Sequence, residues 1–285
     1  GQVWYNTTSN VLKGQAATAA GAWATGGNLN TARRFLGGSG IQTAALAFGG
    51  ATAPAKVANT EQYDGTSWTE VNDLNTARNG IAGAGTQTSA IAAAGFTTTS
   101  LANAETWNGT NWTAVNNINT ARSSLGGAGA DNTAALIFGG DPTSALTESW
   151  NGTNWTEVND LNTARAENGG FGTYTSAISA GGTPPLTGAT ETWNGTNWTE
   201  VNDMNTARQG MGSSGTSSAT GIVFGGDPSK TETETWNGTN WTEDTDMSVN
   251  RTQIGSAKNG GTLSTLAFGG TPPITAAPEE WTGAG

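Results

Sequence analysis

The chain contains neither cysteine nor histidine. The first absence excludes disulfides and thiolate metal sites. The second removes the commonest general base and the commonest transition-metal ligand. Charge is scarce: 12% of residues are Asp, Glu, Lys or Arg, and the formal net charge is −11. Six of the eleven Lys and Arg occupy one repeated position, so no basic surface remains to track nucleic-acid phosphates. No apolar run approaches the roughly 20 residues of a membrane-spanning helix, and no membrane insertion is expected. Runs of Val, Ile or Leu long enough for a thick aliphatic core are missing as well. No signal peptide is read at the start. A first residue of Gly1 in place of Met predicts a piece processed from something longer.

What is abundant is small or aromatic: 43 Gly, 12 Trp, and many Ala, Thr and Asn. Such a core combines indoles with small residues that let backbones approach closely. The phrases NLNTAR, DLNTAR, NINTAR, DLNTAR, DMNTAR and the worn copy DMSVNR end at Arg33, Arg78, Arg122, Arg165, Arg208 and Arg251. Successive arginines fall 45, 44, 43, 43 and 43 residues apart. That period, with recurrent Gly and Trp, marks an array of one supersecondary unit.

Within the unit from 165 to 208, AENGGFGTYTSAISAGG reads as two short strands, TPPLTGAT as a loop, and ETWNGTNWTEV as a hairpin turning at Asn194-Gly195, where both residues tolerate positive φ. Four short antiparallel strands per unit, repeated around a ring, describe a β-propeller blade. The Gly- and Ala-rich first strand suits the crowded axis, as in GIAGAG at 80–85. Aromatic pairs five apart (Tyr63/Trp68, Trp107/Trp112, Trp150/Trp155, Trp193/Trp198, Trp236/Trp241) suit the wide outer part of each wedge. A sixth pair is split between the termini, Trp281 near the C-terminus and Trp23 near the N-terminus. The expected fold is all-β: a six-bladed propeller of four-stranded antiparallel blades over 21–285, closed by an N-terminal strand joining three C-terminal ones. Residues 1–20 form a separate hairpin or linker segment.

The order of arginine, a Gly-Gly doublet after the second strand, an aromatic followed by Asp or Asn, and Trp five later resembles the kelch repeat. EQYDGTSWTEVNDLNTAR is the closest match. Ala94-Gly95 departs from the doublet seen at Gly49-Gly50, Gly139-Gly140, Gly181-Gly182, Gly225-Gly226 and Gly269-Gly270. GQVWYNTTSNVLKG, and AGAWATGGNLNTAR followed by AALAFGG, resemble segments of bacteriophage tail-fibre and structural proteins, among them marine-phage kelch-type proteins. That resemblance implies a virion location, alternatively an extracellular one. It also implies other virion proteins as partners, and a homo-oligomer by analogy with fibres.

The six arginines admit two readings, a cationic ring for an anion or six ties from crossover to neighbouring carbonyls. The second is favoured, because one ligand does not need six cations. Asp73, Asp160, Asp203 and Asp246 alternate with Asn28 and Asn117 in the crossovers and are read as turn residues, since a calcium loop would be denser in acids. The Asn-x-Thr sequons of NGTNWT are read as hairpin turns with a cross-strand Trp. WNGTNW resembles the Asp box of sialidases but lacks the residue between its Asp position and Gly. No metal and no cofactor are expected.

The copies differ most in the loops between second and third strands, where Lys56, Asp141, Asp227 and Lys230 are non-repeating charges. These loops are expected to share a face with the crossovers around the channel mouth, and they are the candidate ligand-binding residues. The leading reading is a non-enzymatic binding module, a phage tail-fibre or receptor-binding component for a host cell-surface glycan or protein. The alternative is a structural virion subunit without its own receptor. A glycan-acting enzyme of the galactose-oxidase or sialidase kind is disfavoured by the absent His and Cys and by only 3 Tyr.

Overall fold

The computed structural model describes residues 2–6, 11–15, 20–228 and 230–284. Among them there is no helix, and six four-stranded antiparallel sheets form a closed propeller. Blade I comprises Gly37–Ile41, Ala44–Phe48, Thr60–Tyr63 and Trp68–Val71. Blade II comprises Ala82–Gly85, Ala90–Ala93, Ala104–Trp107 and Trp112–Val115. Blade III comprises Gly126–Asp131, Ala134–Phe138, Thr147–Trp150 and Trp155–Val158. Blade IV comprises Gly169–Thr173, Ser176–Gly182, Thr187–Trp193 and Trp198–Val201. Blade V comprises Gly212–Ser217, Thr220–Phe224, Thr233–Trp236 and Trp241–Asp244. Blade VI takes Gly255–Ser256, Ser264–Phe268 and Glu279–Thr282 from the C-terminal part and Ala22–Thr25 from the N-terminal part. Trp281 pairs with Trp23 across that seam, so the ring closes as the split aromatic pair predicts. Before the propeller, Gln2–Asn6 pairs with Val11–Gln15 as a two-stranded hairpin.

The hairpin turns work differently from the expectation. Trp193 pairs directly with Trp198, leaving a four-residue loop. Only Gly195 takes positive φ, at 92°. The Asn194 Oδ1 accepts the amides of Thr196 and Asn197 at 2.9 and 2.8 Å. Asn is therefore chosen for its side-chain acceptor, which closes an Asx turn, and not for a left-handed backbone. The second Asn of the phrase links blades on the outside: the Nδ2 of Asn159 donates to the Oδ1 of Asn197 at 2.8 Å.

The apolar core is divided among the wedges between blades. In one wedge Leu46, Phe48 and Leu74 of blade I meet Ile81, Trp107 and Trp112 of blade II. Phe48 stands edge-on to Trp112 at 5.0 Å, and Phe138, Phe224 and Phe268 repeat the contact on Trp198, Trp23 and Trp68. Burying such rings contributes roughly 1.5–3 kcal/mol each. The first strand is glycine-rich for a steric reason: a Cβ on Gly37 would lie 2.2 Å from the Phe48 ring.

Each wedge is pinned by a buried cluster around the repeat arginine. The Arg122 Nη2 lies 2.7 Å from Glu148, Arg165 and Arg208 lie 2.6 Å from Glu191 and Glu234, and Arg33 lies 2.9 Å from Glu61. Arg78 pairs with Glu105 and Arg251 with Glu279. Carbonyl oxygens complete the site, as in Arg122 Nη1 donating to Gly139 and Leu146. The other carboxylate oxygen accepts the backbone amide and the side-chain amide of the phrase's Asn, at 2.7 and 2.8 Å for Asn119 on Glu148. Burial pulls the guanidinium pKa values of Arg33, Arg122, Arg165 and Arg208 down, and the facing glutamates oppose that shift. The sequence reading names carbonyls of a neighbouring blade as partners of the arginines. The six glutamates were not singled out there, although each stands two residues before the third-strand aromatic in every copy.

Candidate functional site

The crossover from each outer strand to the next inner strand brings the residue two places after the repeat arginine to the axis. These six residues are Phe35, Gly80, Ser124, Glu167, Gly210 and Gln253. All six have positive φ, between 53° and 63°. Their backbones form a closed ring of hydrogen bonds: Phe35 N–H donates to the Gln253 carbonyl at 3.0 Å, Gly80 to Phe35 at 2.9 Å, Ser124 to Gly80 at 2.8 Å, Glu167 to Ser124 at 2.7 Å, Gly210 to Glu167 at 2.9 Å and Gln253 to Gly210 at 2.6 Å. Four non-glycine residues are thus held in a left-handed conformation that costs on the order of 1–3 kcal/mol each and persists only where the surroundings over-determine it. A second circle lies beside it, in which the second glycine of each doublet donates to the carbonyl of the next blade's repeat arginine, for example Gly140 to Arg165 at 2.9 Å.

The ring frames the mouth of an axial well with a cavity volume of about 80 Å³. Its walls are small residues of the inner strands, among them Gly38, Ala82, Gly83 and Gly127. The inner end is closed by blade VI. Its first strand lasts only two residues, Gly255–Ser256, after which the chain leaves the sheet. The Lys258 carbonyl accepts the amide of Gly215 in blade V at 2.9 Å, and Asn259 N–H donates to Gly40 in blade I at 2.9 Å. The Asn259 side chain donates to Gly85 in blade II at 3.1 Å. This segment crosses the axis and separates the well from a second cavity beside Gly172 and Thr216.

Two charged groups border the well. The Lys258 ammonium donates to the Gly170 carbonyl at 3.1 Å and to the Ser213 hydroxyl at 3.0 Å. Burial pushes its pKa down to about 8. At the mouth, burial raises the Glu167 pKa, and Asp227 and Asp141 raise it further. Across the ring, Arg34 donates to the Gln253 Oε1 at 3.3 Å and lies 5.8 Å from the Phe35 ring centroid.

The four loop charges separate into two groups. Asp141 and Asp227 bridge by backbone to crossover residues Ser123 and Gln209, and both act on Glu167. Lys56 sits over the Phe96 ring at 5.3 Å. Lys230 forms a local ion pair with Glu232 at 3.0 Å. The crossover acids bond the start of the third strand, as in the Thr60 amide on Asp73 and the Thr147 amide on Asp160, both at 3.1 Å.

The sequence reading places Gly80 in a first strand, which the structure begins at Ala82, and singles out neither the other ring residues nor Lys258. Their signal is the inverse of a motif: the second position after a fixed phrase, where the copies read F, G, S, E, G and Q. Lys258 stands out only as a lysine where the other copies have an inner strand. No protein-family model matches the chain, and no curated protein matches it either.

Proposed function

We propose that the chain is a non-enzymatic binding module, a bacteriophage tail-fibre or receptor-binding component that recognises a host cell-surface glycan or protein through its crossover face. One observation carries this reading. Six positions with identical backbone roles around the mouth carry five residue types, Phe, Gly, Ser, Glu and Gln. The scaffold needs only their backbone, so their side chains are free to serve recognition. The surrounding loops add the Phe96 ring beside Lys56 and the carboxylates Asp141 and Asp227. An aromatic face can stack on a pyranose, and carboxylates and amides can bond its hydroxyls. The absence of His and Cys favours binding over catalysis. The phage assignment rests on the resemblance of GQVWYNTTSNVLKG to tail-fibre segments, and with it come the virion location, the virion partners and a homo-oligomeric state that would multiply a weak site.

Glycan arrays and capture on bacterial cell surfaces test the reading. Saturable binding is expected, weakened about tenfold in a Phe96→Ala, Lys56→Ala variant that melts like the parent. No binder on arrays or cells, with the chain located along a fibre shaft or on a capsid, would overturn it in favour of a structural subunit.

A further inference from the structure

We propose that the axial well is a binding site for a small zwitterion, its carboxylate on the Lys258 ammonium at the inner end and its own ammonium on Glu167 at the mouth. An ammonium has three donors. Two of those of Lys258 are used, on Gly170 and Ser213, and among the described residues no carboxylate pairs with it. Burying a charge is costly unless it is paired, so a lysine facing a cavity without a counter-ion is built to receive one.

Glu167 is the complementary case. Its carboxyl accepts no hydrogen bond among the described residues, and the charges acting on it are the like-signed Asp227 and Asp141. Gly210, beside it in the ring, adds no side chain to the mouth. Arg34, on the same ring of crossovers, lies three blades away, held on Gln253 and Phe35. An acidic mouth repels a simple anion and an ammonium at the inner end repels a simple cation. A molecule carrying both charges, carboxylate foremost, satisfies the two unpaired groups at once.

The proposal is independent of the surface-receptor reading. Loss of glycan or cell binding in the Phe96 variant leaves it untouched, and its own failure leaves that reading untouched.

Calorimetric titration of the whole chain with glycine, 4-aminobutyrate and 6-aminohexanoate covers the range of charge separations. Hexanoate and hexylamine serve as single-charge comparators. At least one aminocarboxylate should bind saturably at pH 7, with both comparators about tenfold weaker or worse. Binding should be about tenfold weaker at pH 9 than at pH 7, as the Lys258 ammonium deprotonates around pH 8. Lys258→Met should abolish it. Glu167→Gln should erase the preference for the aminocarboxylate over hexanoate, which keeps the proposal testable if the Lys258 variant does not fold. Absence of saturable binding by all three aminocarboxylates would overturn the proposal. So would unchanged binding in Lys258→Met, or a retained preference in Glu167→Gln.

Discussion

The wedge between blades III and IV and the rim of the axial well are made from the same repeat, yet they treat its variation in opposite ways. In the wedge, Arg165, Glu191 and Asn162 form a buried polar cluster, Phe138 stands on Trp198, and the Trp198 indole donates to Thr147 at 3.0 Å. The Arg–Glu pair recurs in all the other wedges, and the Trp–Thr bond in three of them at the same 3.0 Å. At the rim only the backbone repeats, and the side chains are unalike. A buried charge tolerates little change, because removing one partner leaves the other unpaired. A backbone ring that uses no side-chain atoms tolerates almost any residue that survives positive φ. Fold specification and chemical individuality thus occupy different radii of one molecule.

The largest effect should come from opening the ring. A chain lacking residues 1–26 loses the outer strand of blade VI, Ala22–Thr25, and exposes the third strand of that blade as an edge. Its cooperative thermal transition should collapse; unchanged melting would contradict the closure. Next is the wedge itself. Glu148→Ala strands Arg122 in a buried site and should cost about 3–5 kcal/mol in denaturant unfolding. Glu234→Ala should cost the same within roughly 1 kcal/mol, because the repeat makes the two sites equivalent. A large disparity between them would break the claim that the wedges are interchangeable.

Lys258→Met sharpens the other side of the comparison. The folded pKa of about 8 lies below the usual lysine value of about 10.4, so the fold disfavours the charged form. Between those values the unfolded chain binds more protons, and stability should rise with pH. Replacing the ammonium should therefore stabilise the protein by about 1–2 kcal/mol at pH 7, and the gain should vanish above about pH 10. Equal stability at pH 7 would show that Lys258 is not a destabilising group kept for another reason.

The smallest effect repairs an irregular wedge. Among the described residues the Trp155 and Trp68 indole N–H groups have no partner, whereas Trp112, Trp198, Trp241 and Trp23 each donate to a threonine of the preceding blade. The equivalent positions hold Ala104 and Pro278. Ala104→Thr should satisfy Trp155 and add about 1 kcal/mol in chemical denaturation. No gain would mean that the Thr–Trp bond is incidental to the wedge.

The same division governs what could be read in the sequence. The six blades and the split closure were legible because Arg, Trp and Gly-Gly recur, and each recurs because the wedge cannot do without it. The glutamates recur too, but a Glu on a short polar strand looks solvated until the arginine is placed against it. The hairpin Asn was read for the wrong property, backbone tolerance, when its Oδ1 performs the work. The rim was illegible in principle: a ring of N–H···O=C bonds leaves no residue signature beyond tolerance of positive φ. The plug at Lys258 and Asn259 was hidden because it is a failure of the repeat, a two-residue strand where the other blades have four to six.

The central claim, that side chains at the wedge hold the fold while those at the rim do not, is tested most directly by one variant. Phe35→Gly, Ser124→Gly, Glu167→Gly and Gln253→Gly together make all six ring positions glycine. Each change relieves a strained left-handed residue and adds about 0.5–1 kcal/mol of chain entropy cost, two effects of similar size and opposite sign. The account predicts a melting temperature within about 5 °C of the parent. A loss as large as that of Glu148→Ala would contradict it.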